Sequence, residues 1–105
     1  MARVRFSRQA KADLAHVLDY LLDNAGARVA RRFETDLRAL ERRWRSHPGI
    51  GAPRPQFGPM TRMSVVAPYL IFYDGSPDSD DVVVLRVLDG RRDITAEVIG
   101  RGRKD

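Results

Sequence analysis

Val82-Val83-Val84-Leu85-Arg86-Val87-Leu88 decides the fold. Only Arg86 interrupts the apolar run, and four of the residues are valines, whose branched side chains favour a pleated strand. A run apolar on both faces predicts a central strand buried from two sides. Just upstream, Tyr69-Leu70-Ile71-Phe72-Tyr73 reads as a second strand. Residues 74–81, with Gly75 and Pro77, read as the turn between them. Residues 61–66 are strand-like, and Ala67-Pro68 makes a tight turn into the next strand. Connections this short imply an antiparallel meander of three strands.

Working outward, residues 46–59 hold Pro48, Pro53, Pro55 and Pro59 together with Gly49, Gly51 and Gly58. The expectation there is a loop without regular structure. Two helices precede it. Ala10, Leu14, Val17, Leu18 and Leu21 recur at helical spacing, with Ser7 as N-cap, and predict a first helix over 8–23. Asp13, His16, Asp19 and Asp23 fall off that stripe. Gly26 closes the helix cheaply, since glycine reaches positive φ. Ala30, Phe33, Leu37, Leu40 and Trp44 form the seam of a second helix, which makes a helical hairpin. Val4 and Phe6 alternate with Arg3 and Arg5 in a short first strand. At the other end, residues 89–93 read as a turn. Residues 94–99 fit a strand or a turn of helix equally, and 100–105 reads as a frayed basic tail.

The expected fold is therefore α+β, in the order β-α-α-β-β-β. A helical hairpin covers one face of an antiparallel sheet and leaves the other partly open. The predicted domain spans 1–99. Strand alternation puts Val83, Leu85 and Val87 on one face, and Val82, Val84, Arg86 and Leu88 on the other. If the odd set packs under the helices, Arg86 projects from the open face. An Arg there is equally a snorkelling side chain or one half of a structural ion pair. Arg62, Arg91 and Arg92 converge toward one end of the same face, with Asp89 and Asp93 placed to pair with them. Tyr73 shares a strand face with Tyr69, as core or as a surface beside Arg86.

The chain has 105 residues, which suits one domain, and a net charge of +5. Seventeen of its 19 basic residues are Arg, and Lys11 and Lys104 are the only Lys. With no Cys, disulfide scaffolds, thiol nucleophiles and thiolate metal sites are excluded. His16 and His47 alone do not build a typical metal site, and no cofactor is expected. No apolar run is long enough to span a membrane, and no apolar leader region is visible at the N-terminus. The basic balance points to an acidic partner. Guanidinium forks grip carboxylate and phosphate. Proton-transfer groups are scarce, because Arg stays protonated and neither His is expected on the sheet face.

The order and spacing of several motifs resemble the RelE/ParE superfamily of type II toxin–antitoxin toxins, its ParE branch above all. They are Ser7, Ala10, Asp13-Leu14, Tyr20-Leu21, Ala30, Phe33, His47-Pro48-Gly49-Ile50-Gly51, Arg62, Tyr69-Leu70-Ile71-Phe72-Tyr73, Val87-Leu88 and Gly90-Arg91-Arg92-Asp93. The resemblance implies the fold read above and a co-expressed, ParD-like antitoxin in a toxin–antitoxin hetero-oligomer. It also implies a cytoplasmic target: DNA gyrase for ParE-like toxins, ribosome-bound mRNA for RelE-like nucleases. Leu70 stands where nuclease members often carry Arg, and no Tyr follows Tyr73, which weakens the nuclease expectation. Asp89 stands where many ParE relatives carry His. The expectation is thus a non-enzymatic gyrase poison without sequence-specific nucleic-acid binding. Its target-binding set is Arg62, Tyr73, Arg86, Asp89, Arg91 and Arg92. Leu14, Leu21, Phe33 and Leu37 are its antitoxin-binding set, on apolar helix surface that a small domain leaves uncovered. The alternatives are a ribosome-dependent mRNA endonuclease, with Arg62, Arg86 and Arg92 on the phosphate, and an inactive antitoxin-binding module.

Overall fold

The computed structural model describes residues 1–104; Asp105 lies outside the described residues. Strand β1 (Arg3–Phe6) leads into helices α1 (Arg8–Ala25) and α2 (Ala27–Ser46). A two-residue strand β2 (Ala52–Pro53) and a 3-10 turn (Pro55–Phe57) follow. The meander is β3 (Thr61–Val66), β4 (Tyr69–Asp74) and β5 (Asp81–Asp89). The chain continues in a short helix α3 (Ala96–Gly100) and a 3-10 turn (Arg101–Arg103). The fold is α+β, and the expected element order holds at its centre.

Local chemistry explains the helix ends. Ser7 Oγ accepts from the Ala10 amide at 3.1 Å, which satisfies one orphan donor of α1. Gly26, at φ 92°, ends α1 and begins α2 without an intervening loop. The buried residues of the hairpin are Ala10, Val17, Leu21, Ala30, Phe33, Leu37, Leu40 and Trp44. They pack on Tyr69, Ile71, Tyr73, Val82, Val84 and Val87 of the sheet.

The sheet order is β1-β5-β4-β3-β2, so β4 is the central strand. β5 lies next to the edge, flanked by β1 along its first half only, although its apolar run is buried from two sides as expected. β1 runs parallel to β5, pairing Val4 with Val82 and Phe6 with Val84. The sheet is therefore mixed, which corrects the all-antiparallel expectation. Alternation fixes faces but not strand direction, and the long β1-to-β5 connection permits parallel pairing. The Pro-rich loop is also more ordered than expected. Pro53 lies in β2 at the sheet edge, where a missing amide costs no ladder bond.

The alternation along β5 breaks in its middle. Phe72 pairs with Arg86, but Tyr73 pairs with Val84, so Leu85 is an extra residue in the ladder. As a result Val82, Val84 and Val87 pack under the helices, while Val83, Leu85 and Leu88 face the other way. A strict period of two assigned Val82, Val83, Val84 and Leu85 to the wrong faces.

The second face is covered rather than open. Phe72, Leu85, Leu88 and Ile99 form a buried cluster flanked by Phe57, Met63, Leu70, Ile94 and Val98. Helix α3 supplies Ile99, capped by Thr95 Oγ1 accepting from the Val98 amide. The predicted frayed tail is docked through residue 103. Gly102 is buried so close to the Leu85 carbonyl that no side chain fits between them. Arg103 hydrogen-bonds Thr61 and forks onto Asp74 at 3.0 and 3.1 Å.

Candidate binding cleft between helix α1 and the end of strand β5

Strand β1 covers only the first half of β5, so the β5 edge at 85–87 needs other partners. Helix α1 supplies them. Ser7 Oγ donates to the Leu85 carbonyl at 3.1 Å. Asp13 Oδ2 accepts from the Val87 amide at 3.0 Å and from Arg86 Nε at 2.7 Å. Asp13 Oδ1 accepts from Arg86 Nη2 at 3.0 Å and from Gln9 at 3.2 Å. The remaining Arg86 nitrogen, Nη1, donates to the Val98 carbonyl of α3 at 2.8 Å. This buried, bidentate pair ties α1, β5 and α3 together (side chains 8% and 5% exposed).

Arg86 therefore does not project from an open face; it is half of an interior ion pair. Asp13 escaped the sequence reading because it lies off the apolar stripe. Arg62 is also committed, donating to the carbonyls of Gly75, Gly49 and Gly51 at 2.8 to 3.1 Å. The Tyr73 hydroxyl is buried, donating to Pro48 O and accepting from the Gly51 amide. Burial raises its pKa, against the lowering influence of Gly51 and Arg62. Arg62 and Tyr73 thus pin the Pro-rich loop. Leu21, Phe33 and Leu37 are core residues, because the hairpin seam is spent on the sheet; Leu14 is half-buried beside them.

What remains converges on a cleft of about 270 Å³ at the C-terminal end of β5. Its walls carry His16 and Tyr20 from α1, Tyr69 from β4, and Asp89, Arg91 and Arg92 around the following turn. Val17, Val87 and Leu88 give it apolar surface. Asp89 accepts from the Arg91 amide at 2.9 Å and from its guanidinium at 2.9 and 3.1 Å. That hydrogen bonding holds the Asp89 carboxyl at about 2 and raises the Arg91 pKa. Tyr69 packs edge-on against Phe33, with ring centroids 5.3 Å apart. Its pKa is raised by burial first and then by the Asp89 charge and Tyr20.

Asp89, Arg91 and Arg92 thus meet against helix α1 rather than on the open sheet face expected for them, and without Arg62, Tyr73 or Arg86. His16 and Tyr20 were missed. Their signal was available: 13, 16, 17 and 20 share one helical face. His47 lines a separate apolar depression with Pro48, Ile50 and Pro77. Among the described residues, no cluster of metal-ligating side chains is present, and no helix is long and apolar enough to cross a membrane.

The helical hairpin on a five-stranded mixed sheet is a RelE/ParE-like fold. A solved structure titled "Chromosomal ParDE TA system from P. aeruginosa" shares it. The TM-score is 0.66 at 21% identity, covering 85% of this chain and 96% of that one. The family follows from sequence. Residues 4–94 match the model described as "ParE toxin of type II toxin-antitoxin system, parDE", and the chain belongs to that family. It is 31% identical over 98 residues to "Toxin ParE3" of Caulobacter vibrioides, covering 93% of this chain and 96% of that protein.

Proposed function

We propose that this ParE-family toxin arrests growth in the cytoplasm by binding DNA gyrase, and that a ParD-like antitoxin holds it inactive in a hetero-oligomer. The Asp89–Arg91–Arg92 end of the sheet is its target-binding surface. The carrying observation is the chemistry of the cleft. It offers a guanidinium and phenols, but both of its carboxylates are engaged. Asp13 accepts four hydrogen bonds, and Asp89, held at about 2 by Arg91, is a poor base near neutral pH. Such a site grips better than it moves protons. The family match and the ParDE title of the structural neighbour support the antitoxin partner.

The test is a supercoiling assay with purified toxin. Inhibition of gyrase, relieved by the product of a neighbouring antitoxin gene, is expected. A folded toxin that leaves supercoiling untouched at micromolar concentration overturns the reading. One observation favours a second reading: His16 lines the same cleft as Arg92, so one imidazole is available to RNA chemistry. Cleavage at the ribosomal A site in a toeprinting assay, abolished by His16→Ala, would establish that reading instead.

A further inference from the structure

The charges lining the cleft cancel except for one. Asp13 is neutralised by Arg86, and Asp89 by Arg91. Arg92 is exposed, and its guanidinium makes no hydrogen bond or ion pair among the described residues. Tyr69 supplies a second unused group. Its ring is buried but its hydroxyl opens to solvent, where it has no partner among the described residues, whereas the buried Tyr73 hydroxyl has two. The groups that perturb the Tyr69 hydroxyl electrostatically are Asp89, Tyr20 and Arg91, all of which line the cleft. With its pKa raised, the phenol stays a proton donor at neutral pH. The cleft therefore presents one uncompensated cation with neutral donors around it, the Tyr69 hydroxyl among them, which is the complement of a single monoanion.

The surroundings distinguish between the two common monoanions. A nucleic-acid strand brings a row of phosphates and needs a row of cations. The α1 wall has none, because no Lys or Arg occurs between Lys11 and Arg28. That stretch instead exposes Asp19 and Asp23. They repel a polyanion along its length but tolerate one carboxylate. A smaller cleft of about 100 Å³ adjoins at Tyr69, lined by apolar Leu21, Val29, Phe33 and Pro68, with the mutually paired Arg32 and Asp36 also on its wall. An anionic side chain beside an apolar one is what a peptide provides.

We propose that this cleft receives the carboxylate of an acidic residue in a bound polypeptide, held by the Arg92 guanidinium and the Tyr69 hydroxyl, with the adjoining cleft taking a neighbouring aliphatic side chain. The proposal rests on the reading that the toxin acts by binding a protein. The probe is the dipeptide N-acetyl-Leu-Glu-amide, titrated into the intact toxin and followed by NMR at the Tyr69 ring and the Arg92 Nε–H. Saturable shifts at both are expected, with the Gln analogue at least about tenfold weaker, as loss of a charge-assisted hydrogen bond implies. Arg92→Gln should abolish the shifts while leaving the dispersed spectrum intact, since that side chain has no internal partner. Tyr69→Phe should weaken binding about tenfold.

Equal binding of the Glu and Gln dipeptides overturns the proposal. So does a six-nucleotide oligouridylate that shifts the same resonances at lower concentration than the dipeptide. Gyrase inhibition is measured on the same preparation. Inhibition without saturable dipeptide shifts removes the carboxylate site and leaves the functional reading standing. Dipeptide binding without inhibition supports the site and removes that reading.

Discussion

Arg86 and Asp89 sit three residues apart, and each is paired in a different medium. The Asp13–Arg86 pair is nearly dry. Breaking such a pair leaves one charge buried without compensation, which costs about 3–5 kcal/mol. Asp13→Asn and Arg86→Met should each lower the stability measured by urea unfolding by roughly that amount. The double variant should be far from additive, since both changes remove one interaction. Asp89 and Arg91 form their pair at the solvent boundary, so its signature is titration rather than stability. With a depressed folded pKa, the pair's contribution is present above the ordinary carboxylate range and fades as pH falls from 3.8 toward 2. NMR titration of the Asp89 carboxyl should show a midpoint near 2, and Arg91→Gln should move it up toward 3.8. The sequence marked Arg86 as unusual because it broke an apolar run. It did not mark Asp13, 73 positions away, because off-stripe polarity on a helix ordinarily means solvent.

At the scale of elements, helices and strands were legible where hydrophobic period and length agreed. The α1–α2 hairpin and the β3–β4–β5 meander are of that kind. The bulge at Leu85 was not legible, because a period of two has no way to signal an inserted residue. Its structural reason lies elsewhere in the chain: Ser7 and Asp13 take over the β5 edge there. The C-terminal segment was misread for a related reason. Gly100-Arg101-Gly102-Arg103-Lys104 has the composition of a loose tail, yet Gly102 is what lets the backbone lie flat on Leu85. Gly102→Val should lift the turn from β5 and expose the Phe72–Leu85–Leu88 face, at a cost of about 1–3 kcal/mol. A lower thermal midpoint together with new binding of a hydrophobic dye would register both effects. A midpoint equal to that of the parent would show that the turn does not hold α3 in place.

At the scale of the whole molecule, the Arg excess divides by what each guanidinium already holds. Arg62 binds loop carbonyls, Arg86 a buried carboxylate, Arg91 its own neighbour and Arg103 the β4 end. Arg3, Arg32, Arg45 and Arg101 form ion pairs that are exposed on at least one side and contribute little to stability. Net charge alone therefore overstates how much of this surface awaits an anion. Of the residues expected to bind the target, Arg92 is the one whose charge the fold does not use. That separates function from folding in a single comparison. Arg92→Gln should leave the thermal midpoint unchanged, yet reduce gyrase inhibition at least about tenfold, the loss expected when one charge-assisted contact to a partner disappears. Arg62→Gln should do the opposite at low temperature. It frees the Pro-rich loop and lowers the midpoint, while inhibition by the fraction that remains folded persists. If the two variants lost inhibition in proportion to their loss of stability, the cleft would have no role of its own. Folding alone would then account for activity, and the binding surface would have to lie away from the α1–β5 end.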